Sequence, residues 1–269
     1  MASSFRHGAD DDSGVIHAYM PNCTDSVKEA TTWLRAGFAM NGFDMNTAAA
    51  SNFASFGPKA RAVSFAADAL ENSAVVILMV QNAAQADDDI LFASGNGADA
   101  LSDHTVVILS STVPPSFVRI LETKVQNLRR GISLLDAPVS GGVARAANGT
   151  LAVPKFLIMC SGQGSSLAKS RAVLLAMAGP TTNLHTVQGG IGAASSVKLV
   201  NQLLAGVYIA TAAEAMALAA RLALHTRLAF EILIQTDAWS WIMENRTGQM
   251  LDADWTPHSA LSIFVKDVG

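Results

Sequence analysis

Residues Ile132-Ser133-Leu134-Leu135-Asp136-Ala137-Pro138-Val139-Ser140-Gly141-Gly142 join an apolar strand to a glycine-rich bend. Leu135 ends the apolar run, and Pro138 is predicted to stop the strand because proline has no backbone N–H to donate. Two glycines follow Ser140, and without Cβ atoms they let a ligand approach the backbone closely. Backbone N–H groups beside a hydroxyl can bind an anion. We expect a carboxylate-binding bend here, although Ser-Gly-Gly alone is also typical of an ordinary turn.

Short apolar runs alternate with helical patterns over the first two thirds of the chain. This alternation predicts βαβ units around a mostly parallel sheet. Strands are predicted at residues 15–20, 39–43, 74–80, 105–109, 132–135 and 156–160. Helices are predicted at residues 24–36 and 115–130, each followed by a glycine that is typical of a helix C-terminus. The expected fold class is α/β, a Rossmann-like doubly wound sheet followed by an all-α domain.

The strand patterns stop near Gln188-Gly189-Gly190-Ile191-Gly192. Three helices are predicted beyond this point, at residues 195–224, 226–235 and about 239–250. We therefore expect a flexible tail at residues 1–14, a dinucleotide-binding domain at 15–188, and a helical substrate and dimerisation domain at 189–269.

One predicted helix contains a stretch apolar and long enough to cross a membrane, from Leu203 to Leu224. Glu214 lies near its middle, where a charge costs roughly 2.5–3.5 kcal/mol on insertion scales. Its many alanines suit close helix–helix packing. We expect a buried helix at the centre of a protein outside the membrane.

The length and composition indicate a globular chain of one large or two medium domains. Its 269 residues are 50% hydrophobic and 15% charged, enough to bury a large core. The net charge of −4 and the lack of a Lys/Arg cluster argue against a nucleic-acid partner. Cys23 and Cys160 are too few for a disulfide framework and lack metal-ligand spacing, so we expect no metal and a reducing, cytoplasmic setting. The polar start of the chain does not have the apolar segment of a secretory signal.

A dinucleotide-binding fold places Gly-x-Gly-x-x-Gly after its first strand. In this chain Pro21, Cys23 and Ser26 occupy the three glycine positions. Asp25 lies near the start of the next helix, where its charge would repel a pyrophosphate. These departures predict impaired cofactor binding.

A carboxylate after the second strand indicates which cofactor the domain prefers. Asp44 is placed to accept hydrogen bonds from ribose hydroxyls and to repel a 2′-phosphate, which favours NAD over NADP. An aspartate two residues before Asn46 is also typical of a turn, so both interpretations stay open.

Three polar side chains share one face of the predicted helix 195–224. Lys198, Asn201 and Gln202 stand at positions i, i+3 and i+4. A lysine on an apolar helix often extends its amine to solvent. Near a substrate, the same amine could take the hydroxyl proton when an alcohol is oxidised.

The segments around Ser140 and Lys198, together with Asn148-Gly149-Thr150, resemble signatures of the β-hydroxyacid dehydrogenase family. The resemblance spans residues 15–269, is strong after Ser110, and is nearest to the L-threonate dehydrogenase branch. It implies hydride transfer between NAD and a short-chain hydroxy acid of the L-threonate or 3-hydroxyisobutyrate type. A homo-oligomer is expected.

The resemblance also implies roles for individual residues. The carboxylate would be bound by Ser140, Gly141 and Gly142, the proton moved by Lys198, and the substrate oriented by Asn201. Besides Asp44, residues expected at the cofactor are Met79, Val80, Thr112 and Lys266. Thr112 could instead cap the following helix, and Lys266 could be a surface lysine beside Asp267.

Two further departures from the family pattern affect the expected function. Residues 152–156 look like an insertion that contains Pro154, and the chain ends at Gly269 where family members continue. The alternative function is a catalytically impaired homologue that binds a hydroxy acid, or a dimeric interaction protein that uses no cofactor. An imine reductase is a third alternative, less favoured because Ser140 and the two glycines suit a carboxylate.

Overall fold

The computed structural model describes residues 14–18, 30, 32–92, 97–128, 130–140, 157–179, 181–254 and 263–268. The chain divides into two compact units, Met1–Ser195 and Ser196–Gly269. The first contains a mostly parallel sheet with helices, and the second contains only helices among its described residues. The predicted fold class is therefore confirmed.

The strands of the described residues form one sheet in the order β3-β2-β1-β4-β5-β6-β8-β7, with β9 beside β8. They are β1 Gly14–Ala18, β2 Met40–Phe43, β3 Ala60–Ala62, β4 Ser73–Leu78, β5 Val106–Leu109, β6 Ser133–Asp136, β7 Val139–Ser140, β8 Leu157–Gly162 and β9 Leu184–Thr186. Strands β1 to β6 pair in parallel, and β8 is antiparallel to both β6 and β7. The sequence patterns located β1, β2, β4, β5, β6 and β8 but missed three strands of only two or three residues.

The prediction that Pro138 stops the strand was only partly correct. Strand β6 ends at Asp136, but the chain returns to the sheet as β7, where Val139 pairs with Ile158. The Pro138 carbonyl accepts a hydrogen bond from the Met159 N–H (3.1 Å). Proline lacks a donor but keeps its acceptor, so pairing through the carbonyl continues across it.

Helices α1 to α6 lie in the first unit, and α7 begins there and continues into the second. They are α1 (helical residues 32–35), α2 Thr47–Ala54, α3 Ala66–Leu70, α4 Gly97–Ala100, α5 Pro115–Asn127, α6 Gly164–Ala178, α7 Ala193–Arg221, α8 Thr226–Leu233, α9 Trp241–Leu251 and α10 Ile263–Val268. A π-helix, Gln85–Leu91, follows β4.

The core of the first unit consists of two apolar clusters. Alternate residues of β4 belong to different clusters: Val76 and Leu78 pack in one, Val75 and Ile77 in the other. Because successive strand side chains point to opposite faces, the sheet is apolar on both sides. Trp33 is fully buried in the second cluster, where its indole N–H donates to the Val173 carbonyl (2.8 Å).

The prediction of a buried central helix was wrong for α7. Its most apolar window has only 17% of its residues buried, and by length and composition alone the helix could cross a membrane. The exposed apolar residues include Val197, Val200, Leu204, Val207 and Leu218. The sequence pattern indicates an apolar helix surface. It does not tell whether that surface packs against the rest of the same chain or against another molecule.

Candidate active site

Several predicted cofactor residues lie at one edge of the sheet of the first unit. Asp44 directly follows β2, Met79 and Val80 follow β4, and Thr112 comes shortly after β5. These strands run parallel, so their carboxyl ends share an edge. Ligands of open α/β sheets bind at this edge.

Asp44 lies in a turn and also lines a cavity. Its Oδ1 accepts a hydrogen bond from the Asn46 N–H (2.7 Å), and the Asn46 side chain accepts from the Ala48 N–H to cap α2 (3.0 Å). A cavity of about 480 Å³ adjoins this turn. It is lined by Phe43, Asp44, Met45, Thr47, Ala50, Ser51, Ala62, Val63 and Ser64. A carboxylate and several hydroxyls line this space, so the place of Asp44 in a turn does not rule out a role in binding.

A buried serine connects the loops after β4 and β5 through a hydrogen bond. The Val80 N–H donates to Ser111 Oγ (2.6 Å), and Ser111 is almost fully buried. Pro114, not Thr112, occupies the N-cap position of α5, and it makes no side-chain hydrogen bond there. Thr112 is therefore not the N-cap residue of α5. The linking role of Ser111 was not predicted, because a serine in Ser-Ser-Thr carries no sign of its partner.

The predicted carboxylate-binding segment is described as far as Ser140. This residue is half-buried and pairs with Leu157 of β8. Gly141 and Gly142 lie outside the described residues. So do Pro21, Cys23, Ser26 and residues 152–156.

Asp136, at the end of β6, has no exposed surface. Its Oδ2 accepts hydrogen bonds from the Ser195 N–H (2.8 Å) and from Ser161 Oγ (3.1 Å), and its Oδ1 accepts from Ser195 Oγ (2.6 Å). Burial raises the pKa of the Asp136 carboxyl, and the hydrogen bonds from Ser195, Ser161 and Gly192 oppose that rise. Burial, followed by the charge of Asp136, raises the pKa of the Cys160 thiol to about 12, so Cys160 is not a nucleophile at neutral pH.

The second unit contains the predicted proton-transfer residue. Lys198 is only 8% exposed, which argues against a lysine that extends its amine to solvent. One turn later, Asn201 Nδ2 donates to Gln202 Oε1 (3.2 Å), and Gln202 Nε2 donates to Asp267 Oδ2 of α10 (2.7 Å). Asp267 is 7% exposed, so it is not the surface carboxylate considered in the alternative for Lys266. Lys266 itself lies in α10, and its side chain is outside the described part of the structure.

The structure thus places Asn201, Gln202 and Asp267 in one hydrogen-bonded chain, with Lys198 on the same helix. The sequence pattern identified the helix face but not its buried partner in α10. Within the described residues, no group of three or more His, Cys, Asp or Glu side chains could hold a metal ion.

Two family models cover most of the chain. Residues 29–190 match the NAD-binding domain of 6-phosphogluconate dehydrogenase, and residues 192–269 match the model described as NAD-binding of NADP-dependent 3-hydroxyisobutyrate dehydrogenase. The first match begins after the segment that contains Pro21, Cys23 and Ser26.

Individual relatives agree with these matches. L-Threonate dehydrogenase from Cupriavidus necator is 39% identical over 242 residues, which cover 89% of this chain and 76% of that protein. The Escherichia coli K12 L-threonate dehydrogenase is 37% identical over 240 residues, with the same shares. The crystal structure of a Salmonella typhimurium 3-hydroxyisobutyrate dehydrogenase has a TM-score of 0.81 and 32% identity, and the match covers 95% of this chain and 84% of that one. The chain therefore belongs to the β-hydroxyacid dehydrogenase family, and it is an oxidoreductase that uses a nicotinamide cofactor.

Proposed function

We propose that the protein oxidises a short-chain hydroxy acid of the L-threonate or 3-hydroxyisobutyrate type, with NAD as the hydride acceptor. The observation that carries this proposal is the burial of Lys198 on a helix face that also bears Asn201 and Gln202. A buried amine beside amide side chains suits proton exchange with a substrate hydroxyl better than contact with bulk water. The L-threonate dehydrogenases among the relatives favour a sugar-acid substrate.

We assign to Lys198 the transfer of the proton of the substrate hydroxyl. In oxidation its neutral amine accepts the hydroxyl proton, and in reduction the ammonium returns that proton to the product oxygen. Asn201 orients the substrate, and its own position is fixed through Gln202 and Asp267. The bound cofactor supplies the acceptor for the hydride that leaves the hydroxyl-bearing carbon.

The remaining site residues are assigned to binding. Ser140, Gly141 and Gly142 hold the substrate carboxylate, since hydroxyl and backbone N–H donors match its oxygens. Four residues from three segments hold the nicotinamide side of the cofactor: Met79, Val80, Thr112 and Lys266. Asp44 and the hydroxyls of its cavity hold the ribose end.

Asp44 supports NAD as the cofactor in preference to NADP. The residues that line its cavity include a carboxylate but no lysine or arginine, whereas sites for a 2′-phosphate use a basic partner. Asp44→Ala should lower the ratio of the NADP to the NAD dissociation constant, measured by calorimetry. The control is Asp68→Ala, which removes an exposed carboxylate of α3 that does not line the cavity. Equal affinities of the two cofactors for the unmodified protein would contradict the assignment.

A second copy of the chain is the proposed partner of the exposed face of α7. The apolar residues Val197, Val200, Leu204, Val207 and Leu218 recur at spacings of three and four, or sums of these, as in packed helix pairs. Glu214 and Arg221 lie in the same stripe, so an antiparallel copy could pair each with the other across a twofold axis. We place the oligomer in the cytoplasm, which suits the free, buried Cys160 thiol.

The test is an assay of purified protein with L-threonate and with 3-hydroxyisobutyrate, in which the absorbance of reduced nicotinamide is followed. NAD-dependent turnover of one of them, and none with the matching acid that lacks the hydroxyl, is the expected result. A catalytically impaired homologue that binds a hydroxy acid is the second candidate. It is favoured by the cofactor-domain match, which begins only at residue 29. Binding of the acid in calorimetry without turnover would support it.

A further inference from the structure

The first turn of α7 is capped by side chains from the sheet and not by its own sequence. A helix leaves its first four N–H groups without partners inside the helix. Gly192 precedes α7 and has no side chain to cap it, whereas Ser161 Oγ accepts from the Ala194 N–H (3.0 Å) and Asp136 accepts from the Ser195 N–H. The two acceptors come from neighbouring antiparallel strands, in which Asp136 pairs with Ser161.

Every group that faces the Asp136 carboxylate in this network is a donor. Ser195 contributes its backbone N–H and its hydroxyl, Ser161 a hydroxyl, and Gly192 a backbone N–H. An ionised carboxylate only accepts, so it satisfies all of them, whereas an asparagine would turn an NH₂ group toward donors on one side. The positive end of the helix dipole further favours a negative charge at this point.

The arrangement links the start of α7 to the end of β6. Lys198 follows Ser195 by three residues, about 4.5 Å farther along the helix axis at 1.5 Å per residue. Asn201 lies one turn beyond Lys198. A shift of the first turn would therefore move both side chains, because a helix transmits rotation and translation along its length.

We propose that Asp136 is a positioning residue of the oxidoreductase: it holds the first turn of α7 and thereby fixes the placement of Lys198 and Asn201. This inference rests on the proposed function of Lys198. Asp136 itself does not touch the reacting atoms. Its role is distinct from that of Ser140, four residues later, which is assigned to the substrate.

The test compares Asp136→Asn and Ser195→Ala with the control Ser166→Ala. Ser166 is also a buried serine of the first unit, and its hydroxyl donates to Ser133 Oγ (2.8 Å), away from α7. Three readouts are measured on each folded variant. They are amide hydrogen exchange in the first turn of α7, the acetylation rate of Lys198 relative to the exposed Lys169, and kcat with the KM for the cofactor.

We expect Asp136→Asn and Ser195→Ala to speed exchange in the first turn by about tenfold or more, the effect of losing a hydrogen bond to a charged group. Lys198 should become more reactive toward acetylation. The kcat should fall by on the order of 10–100-fold, as displacement of a reacting group by about 1 Å does, while the KM for the cofactor is unchanged. A merely structural loss would lower the melting temperature and leave kcat per folded molecule intact. Ser166→Ala should change none of the three readouts.

An unchanged exchange rate in the first turn would overturn the proposal whatever happens to activity, because the hydrogen bonds between Asp136 and Ser195 would then not hold that turn. Faster exchange with unaltered Lys198 reactivity and unaltered kcat would overturn it equally, because the hydrogen bonds of Asp136 would then hold the first turn without positioning Lys198. If the unmodified protein oxidises no hydroxy acid, the proposed function fails separately. Exchange and acetylation then decide alone whether Asp136 sets the placement of Lys198.

Discussion

Lys198 is the residue on which the proposed chemistry depends most directly. Because a general acid–base group typically contributes about 10²–10⁴-fold, Lys198→Ala should lower kcat by that order. The melting temperature should change little by comparison. Lys169→Ala, the control, removes a lysine of α6 that donates to the His104 carbonyl and lies on the surface. Near wild-type turnover by Lys198→Ala would remove this residue from the mechanism.

Asp136 should make the stability of the protein depend on pH. Burial raises the pKa of its carboxyl above the ordinary 3.8, with opposing hydrogen bonds from Ser195, Ser161 and Gly192. The folded state therefore holds this proton more tightly than the unfolded chain does. The tighter binding of this proton contributes to the free energy of unfolding in full below pH 3.8. The contribution is lost as the pH rises through the raised pKa of Asp136 in the folded state.

Asp136→Asn removes this titration. The free energy of unfolding of the wild type minus that of Asp136→Asn should therefore fall as the pH rises from 3.8, the ordinary aspartate pKa, toward neutrality. Urea unfolding of both proteins over this range measures the difference. A difference that does not vary with pH would show that Asp136 titrates alike in the folded and unfolded states.

At the level of single residues, the sequence predicted the relative placement of site residues that are close together along the chain. The spacing of Lys198 and Asn201 was sufficient to place them on one helix face. It could not reveal that Ser195 meets Asp136, because 59 residues separate them and only the sheet brings them together. The partnership of Gln202 with Asp267 was hidden for the same reason.

At the level of elements, the segment between β1 and α1 carries the sharpest sequence prediction. Pro21, Cys23 and Ser26 lie outside the described residues, but in sequence they stand where the family pattern has glycines. Changing all three to glycine should tighten NAD binding by about tenfold or more, since a pyrophosphate would gain at least one hydrogen bond to its charge. Calorimetric titration measures the dissociation constant, and Ser26→Ala alone, which keeps a side chain, is the control.

Two results would argue against that prediction. Micromolar affinity in the unmodified protein would mean that the segment binds pyrophosphate by another backbone path. Failure of the triple variant to bind NAD would shift the cause to another part of the chain, of which residues 152–156 are the first candidate.

The elements that the sequence predicted share a property. Strands such as β4 and β5 are runs of apolar residues buried on both faces, and α5 ends near a glycine, Gly131, with positive φ. The missed β7 has two residues, and its pairing depends on β8 and not on its own composition. Short edge elements of this kind are determined by the sheet that they join.

For the whole molecule, the prediction concerns assembly. Leu204→Glu combined with Leu218→Glu should convert a homo-oligomer to monomers, because two charges would be buried in an apolar helix contact. Ala220→Glu is the matched control, since Ala220 is exposed on the opposite side of α7. Light scattering gives the mass of each variant. A monomeric unmodified protein would contradict the proposed partner.

The overall architecture was predictable from alternating apolar runs, because βαβ units leave that pattern in any chain that forms them. The exposure of α7 in a single copy of the chain was not predictable. Its alanines and leucines fit a core and a subunit contact equally well, and composition does not distinguish one chain from two.

Trp33 offers a way to observe the two units separately. The chain has four tryptophans, and the other three, Trp239, Trp241 and Trp255, all follow Ser195 in the sequence. Buried indoles fluoresce at shorter wavelength than hydrated ones, so the emission of Trp33 reports on the first unit alone once the other three are replaced by phenylalanine. The loosening of the first unit by heat or urea can then be recorded from Trp33, and a Trp33→Phe variant that keeps the other tryptophans gives the matching signal for the second unit.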